Sequence, residues 1–172
     1  MISVVVFALA IVATTVAESV ISARNERSLR TAGAIEPDDD VYALMRIAYP
    51  GALVTLVAEG VLRSVHTDRW FTAGAILFVA SKSLKYSAIA ALGPRWTFRV
   101  LVPPASTRIH RGPYRWLSHP NYLAVAGELT GIALAMHAMI TGIPAIAVFA
   151  ALMWRRVRVE EKALAESRMR GC

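Results

Sequence analysis

Two short polar clusters in this chain contain the residue types best suited to chemistry. In "SHPNY", residues 118–122, a proline follows a histidine; this pattern predicts a helix start, where unpaired N–H groups attract an anion such as a carboxylate. In "WRRVRVEE", residues 154–161, Arg156 and Glu160 lie four apart and share one helix face. The structural alternatives are an ordinary helix cap with Tyr122 as an interfacial anchor, and a solvated, positively charged helix end.

The elements that must position these clusters are apolar. Of the 172 residues, 56% are hydrophobic, more than the about 45–50% typical of soluble domains, and the mean hydropathy is +0.48. Five apolar segments, at about residues 1–22, 43–63, 70–92, 121–140 and 143–156, approach the roughly 20 residues that cross a bilayer. We therefore predict an all-α polytopic membrane protein with about five transmembrane helices. A signal peptide is the alternative for the first segment, but no basic region precedes it.

The last two apolar segments predict a helical hairpin, with its turn at Thr141–Pro144. Because a hairpin returns the chain to the side it left, residues 111–122 and 154–161 must meet at one membrane face. We predict a single domain over residues 1–172. Residues 1–92 form three helices in this prediction, and residues 93–172 form a polar loop, the hairpin and a short tail.

The basic residues indicate how the chain is oriented in the membrane. With the tail in the cytoplasm and five crossings, the inner segments hold fourteen Lys and Arg residues and the outer loops hold two, Arg63 and Arg69. This asymmetry follows the positive-inside rule, so the net charge of +7 indicates topology and argues against a nucleic-acid partner. The single cysteine, Cys172, excludes an internal disulfide and a cysteine metal site; no metal is predicted.

Several polar residues fall inside the predicted spans, where each is costly unless it faces protein or water. Lys82 and Lys85 share a helix face and could pair with Glu59 or Glu128, or bind lipid headgroups. Glu59 could instead snorkel near its helix end. The sequence leaves these alternatives open.

The motifs in the second half of the chain resemble those of the isoprenylcysteine carboxyl methyltransferase family, which comprises integral membrane enzymes that use S-adenosylmethionine. The resemblance rests on "GPYRWLSHPNY" followed about forty residues later by "RVRVEEKAL". The segments "RNERSLRTAGA" and "LGPRWTFRVLV" also resemble its bacterial branch, so the similarity spans about residues 24–164. Ser118 departs from the arginine that more often precedes His-Pro in the family.

The resemblance implies roles for individual residues. The cofactor-binding residues it implies are Ser106, Thr107, Arg108, Ile109, Gly112, Tyr114, His119, Pro120, Asn121, Tyr122 and Glu160. It implies that Arg156 holds the acceptor while Glu160 holds the cofactor. A hydroxyl acceptor would also have to lose a proton, for which His119, Glu128 or Glu161 are candidates; Arg156, Glu160 and Glu128 thus form the predicted catalytic set.

The expected activity is methyl transfer from S-adenosylmethionine to an oxygen of a lipid-borne acceptor at the cytoplasmic face of the cell membrane. An alkylated phenol or pyrone is expected first and a prenylcysteine-type carboxylate second, with membrane lipids as further partners. The alternatives are an NADPH-dependent reductase of the sterol-reductase type, which can also carry His-Pro-Asn-Tyr, and a non-enzymatic membrane carrier. The chain has no Gly-x-Gly-x-x-Gly segment, so nothing in it predicts a Rossmann-type cofactor site.

Overall fold

The described part of the chain is a bundle of five α-helices. The computed structural model describes residues 2–37, 41–103 and 109–170, without the side chains of residues 160 and 162–170. The helices are α1 (Ile2–Thr31), α2 (Tyr42–Leu62), α3 (Arg69–Leu92), α4 (Pro120–Ala135) and α5 (Met139–Arg170). Short 3-10 turns cover Gly93–Arg95 and Gly112–Arg115. In the described residues the extended backbone pairing is an isolated bridge between Ile35 and Val102, which confirms the predicted all-α class.

Among the residues that the structure describes, four helices are long and apolar enough to cross a membrane: α1, α2, α3 with the turn after it, and the first part of α5. Helix α4 has 16 residues, or about 24 Å at 1.5 Å per residue. It nevertheless reaches from one end of α3 to the other. At its start, Asn121 accepts a hydrogen bond from Trp96, which follows α3. Just past its end, His137 contacts Asp68, which precedes α3. This arrangement agrees with the predicted polytopic membrane fold.

Glycines allow α3 and α4 to pack with their backbones in contact. A Cβ atom on Gly74 would lie 2.4 Å from the Ala135 nitrogen, and one on Gly131 would lie 2.8 Å from the Gly74 carbonyl oxygen. Gly127 faces Ser81 just as closely. The pair Gly127 and Gly131 therefore serves close helix packing, as small residues at this spacing do in membranes.

The predicted hairpin turn at Thr141–Pro144 is wrong: the chain reverses at Met136–Ala138, and residues 141–144 lie inside α5. His137 makes the turn with a φ of +51°. Glu59 of α2 fixes the start of α5, since its carboxylate accepts hydrogen bonds from the backbone N–H groups of Ile140 and Thr141 at 3.2 and 2.8 Å. These bonds satisfy donors that a helix start leaves unpaired.

The lysines of α3 are paired inside the bundle. Lys82 lies 2.6 Å from Glu18 and 3.2 Å from Glu128, and Lys85 contacts the same two carboxylates at 2.9 and 3.1 Å. Of the partners considered from sequence, Glu128 is therefore confirmed and Glu59 is wrong, because Glu59 caps α5. The cluster of Glu18, Lys82, Lys85 and Glu128 is charge-balanced, the condition under which buried ions are tolerated.

Candidate active site at the end of the bundle

Two cavities adjoin at the end of the bundle where α4 begins. The first, called here the loop cavity, holds about 1020 Å³ of empty space including its mouth, and lies between the segment 92–103 and the start of α4. The second, called here the bundle cavity, holds about 1140 Å³ on the same basis and extends between α1, α2, α4 and α5. Both are lined by Thr97, Asn121, Tyr122 and Arg156. These four residues thus form the boundary between a loop-side and a helix-side compartment.

The wall between the cavities is held by the segment after α3, which is anchored on α1. Asn25 donates hydrogen bonds to the carbonyl oxygens of Gly93 and Trp96, at 3.2 and 2.8 Å. Ser22 accepts one from the backbone N–H of Phe98 at 2.8 Å. Trp96 is 2% exposed, so the segment is part of the folded core and not a free surface loop.

A set of ion pairs also holds the same segment in place. Arg99 pairs with Glu26 and Glu36, at 2.8 and 2.5 Å, and Arg30 pairs with Glu36 at 2.6 Å. Burial favours a higher pKa for Glu36, but the hydrogen bonds from Arg99 and Arg30 outweigh it and lower the pKa below its usual value. The carboxylate therefore stays ionised at neutral pH and keeps the segment in place.

Arg156 lies at the boundary with hydrogen-bonding capacity left over. It is 6% exposed, and its terminal nitrogens bond the Phe98 carbonyl oxygen and contact the Met45 sulfur. Its buried Nε has no hydrogen-bond partner within the part of the chain that the structure describes. A buried donor without a partner carries a free-energy cost, so the guanidinium has one unused hydrogen bond at this boundary.

The structure brings together the two clusters singled out in the sequence. His119 Nε2 lies 3.7 Å from Glu161 Oε1, and Asn121 and Tyr122 share both cavities with Arg156. The prediction that residues 111–122 and 154–161 meet at one face is confirmed. Helix α4 starts at Pro120 as expected, although His119 makes no side-chain capping bond; its ring stacks on Tyr122 instead, with centroids 5.4 Å apart.

The predicted cofactor-binding residues divide into three groups. Those that line the loop cavity are Ile109, Tyr114, His119, Asn121 and Tyr122. Gly112 and Pro120 contribute through their backbone conformation. Gly112 has a φ of +58° beside Ala91, and Pro120 is the first residue of α4. Ser106, Thr107 and Arg108, together with the side chain of Glu160, lie outside the described residues.

Glu128 lies apart from the boundary between the cavities. It follows Asn121 on α4 by two turns, or about 10 Å along the helix, is fully buried, and contacts Lys82 and Lys85. It reaches the bundle cavity indirectly, through a hydrogen bond of 2.7 Å from the Tyr49 hydroxyl.

Sequence reasoning missed several lining residues. Trp96 and Thr97 of the loop cavity lie in "LGPRWTFRVLV", which carried the family resemblance without an assigned role. Tyr49 of the bundle cavity was not considered, and neither was the buried Glu18, which lines neither cavity but pairs with Lys85. The sequence did contain a sign of the role of Glu18. It follows an uncharged apolar segment, and an acidic residue at such a position requires a cation from another helix.

The chain is similar in sequence to known proteins. The family model described as "Isoprenylcysteine carboxyl methyltransferase (ICMT) family" matches residues 74–166, which include the start of α4 and all four residues of the boundary between the cavities. The chain is also similar to the uncharacterized protein YpbQ of Bacillus subtilis (strain 168), with 31% identity over 150 residues, covering 87% of this chain and 89% of that protein. The chain belongs to the isoprenylcysteine carboxyl methyltransferase family, a family of membrane methyltransferases.

Proposed function

We propose that the protein is an integral membrane O-methyltransferase that uses S-adenosylmethionine and acts on a lipid-borne acceptor. The observation that carries this proposal is the shared boundary of the two cavities, with the buried residue Arg156 among the four that form it. Two reactants of different polarity can approach such a boundary from opposite sides. Positioning of this kind accounts for much of the rate of a bimolecular transfer.

The loop cavity suits the cofactor. Its lining offers flat rings for an adenine, from Tyr114 and Tyr122, and an arginine for a carboxylate, from Arg95. Glu160 joins this set by the family resemblance. When bound, the cofactor supplies a methyl group on a sulfonium, which is already a competent electrophile.

The bundle cavity suits the acceptor. Its walls are membrane-spanning helices, and most of its deeper lining is apolar or aromatic, including Pro50, Val125 and Phe149. A lipid tail gains about 25 cal/mol per Å² of apolar surface that it buries. Arg156 then orients the acceptor oxygen through a charge-assisted hydrogen bond. An alkylated phenol or pyrone is our first choice of acceptor and a prenylcysteine-type carboxylate our second.

We further propose that the site faces the cytoplasm, where S-adenosylmethionine is made. The basic residues around it support this orientation: Arg95, Arg99, Arg111, Arg115 and Arg155 all lie at this end of the bundle.

The proposal is tested by equilibrium binding to detergent-purified protein. We expect S-adenosylmethionine and its demethylated product to bind, while NADPH does not. Tight NADPH binding without a response to S-adenosylmethionine would favour a reductase, and binding of neither would favour a carrier. Transfer of a radiolabelled methyl group into a lipid extract then tests the reaction itself.

A further inference from the structure

The deep end of the bundle cavity contains polar groups that the proposed methyl transfer does not use. About two helical turns, or roughly 10 Å, separate Arg156 from Phe149 along α5, and both residues line this cavity. At the level of Phe149 the wall is formed by Tyr49, whose ring lies 5.4 Å from that of Phe149, and by Lys85. An apolar tail alone would need neither a hydroxyl nor an ammonium group here.

The hydroxyl of Tyr49 has a fixed orientation. It donates its proton to Glu128 Oε2 over 2.7 Å, and Glu128 is ion-paired with Lys82 and Lys85. An ion-paired carboxylate accepts hydrogen bonds and has no proton to return, so Tyr49 must be the donor in this contact. Its oxygen keeps lone pairs that can accept a hydrogen bond, and Tyr49 is one of the residues that line the bundle cavity.

Lys85 does not change the role of the Tyr49 oxygen as a hydrogen-bond acceptor. Its ammonium group lies between Glu18 Oε2 and Glu128 Oε2, at 2.9 and 3.1 Å, and the residue is 2% exposed. Its charge is therefore balanced within the protein by the two glutamates.

We propose that Tyr49 is a specificity-determining residue that accepts a hydrogen bond from a hydroxyl of the acceptor. This inference rests on the proposed role of the bundle cavity. A hydroxyl donates to the Tyr49 oxygen, whereas a carboxylate has no proton to donate and would add a third negative charge to a cluster whose two carboxylates are already balanced by two lysines. A methyl ether also lacks the proton, so Tyr49 distinguishes a free hydroxyl from a methylated one at this depth of the cavity.

The test is a binding measurement without cofactor, so its outcome does not depend on whether the protein transfers methyl groups. Three amphiphiles of matched length serve as probes: para-decylphenol, its methyl ether para-decylanisole, and para-decylbenzoate. Affinities are measured by tryptophan fluorescence in lipid nanodiscs. We expect the wild-type protein to prefer the phenol over the ether by about tenfold, which corresponds to about 1.4 kcal/mol for one hydrogen bond, and to bind the benzoate more weakly than the phenol.

The variant Tyr49→Phe keeps the ring and removes the oxygen. We expect the preference for the phenol over the ether to fall below twofold while the affinity for the ether is unchanged, which also shows that the cavity is intact. Tyr86→Phe is the matched control, because Tyr86 is half-buried on α3 and lines neither cavity; it should keep the wild-type preference. Equal wild-type affinities for phenol and ether, tightest binding of the benzoate, or a preference that survives Tyr49→Phe would each overturn the proposal.

Discussion

Lys82 of α3 donates a hydrogen bond of 2.6 Å to Glu18 of α1, across 64 positions of sequence. Glu18 is fully buried and Lys82 is 6% exposed. This contact, together with Lys85 and Glu128, joins three helices through charges in the interior of a membrane bundle. Such a cluster is stable as a balanced set and costly when one member is lost.

Removal of Glu18 should therefore destabilise the protein strongly. Glu18→Ala leaves the two lysines with one carboxylate, and breaking a buried ion pair in this way costs about 3–5 kcal/mol. The double variant Glu18→Met with Lys82→Met restores the charge balance and should be more stable than Glu18→Ala. Thermal unfolding in detergent measures both. A double variant no more stable than the single one would contradict the role assigned to charge balance.

Arg156 should be essential for methyl transfer and dispensable for cofactor binding. We expect Arg156→Ala to slow transfer by about 30- to 1000-fold, which corresponds to a loss of about 2–4 kcal/mol at a charged contact in a buried site. Arg156→Lys keeps the charge without the planar guanidinium and should restore part of the rate. Single-turnover rates and cofactor affinity are measured on the same preparations.

The neighbouring Arg155 provides the control, because its side chain is exposed. Arg155→Ala should keep nearly the wild-type rate. If Arg156→Ala were equally active, Arg156 would be another positive-inside residue and the proposed site would be wrong.

His119 should contribute to cofactor binding. Its ring lines the loop cavity and stacks on Tyr122, so His119→Ala removes both a wall of the cavity and the support of a neighbouring ring. We expect its affinity for S-adenosylmethionine to fall by about tenfold, the equivalent of one hydrogen bond or stacking contact. Glu160→Ala should weaken binding as well, because the family resemblance implies that Glu160 holds the cofactor. Isothermal titration calorimetry checks both, with the exposed His110→Ala as control.

The acid stability of the protein should depend on Asp68, which begins α3. The backbone N–H of Phe71 lowers the pKa of Asp68 below its usual value, burial opposes this, and His137 lowers it further. A carboxyl whose pKa is lower in the folded protein stabilises it at pH values above the unfolded pKa, about 3.9, and this contribution is lost as the pH falls through the folded value. Asp68→Asn should therefore have a lower melting temperature than wild type at pH 6, with the difference shrinking below about pH 4. A difference that is the same at both pH values would exclude ionised Asp68 as its cause.

The sequence predicted the helices well because hydrophobic length is a strong signal in membrane proteins. It also placed the two polar clusters at one face, since a hairpin requires this wherever its turn lies. The position of the turn was missed because Pro144 suggested a break. The actual turn depends on Glu59, a residue of another helix that caps α5, and such a contact is invisible in local sequence.

Sequence reasoning identified residues that line the site only where they belong to a family motif. His119, Tyr114, Asn121 and Tyr122 were found through the family resemblance and do line the loop cavity. Tyr49 was not found, because its importance arises from Glu128 on a helix 79 positions away. This contact follows from the packing of α2 against α4. The periodicity of apolar residues along the sequence does not specify which helices pack together.

The orientation of the bundle gives the last prediction. Fourteen of the 19 Lys and Arg residues lie in the segments assigned to the inner side and two in those assigned to the outer side, so we expect the amino terminus outside and the candidate site in the cytoplasm. In a Cys172→Ser background, Ile35→Cys and His66→Cys introduce single thiols at exposed positions at opposite ends of the bundle. In intact cells, a membrane-impermeant maleimide should label position 66 and leave position 35 unlabelled until the membrane is permeabilised. Labelling of position 35 alone in intact cells would reverse the orientation, and with it the cytoplasmic access proposed for the cofactor.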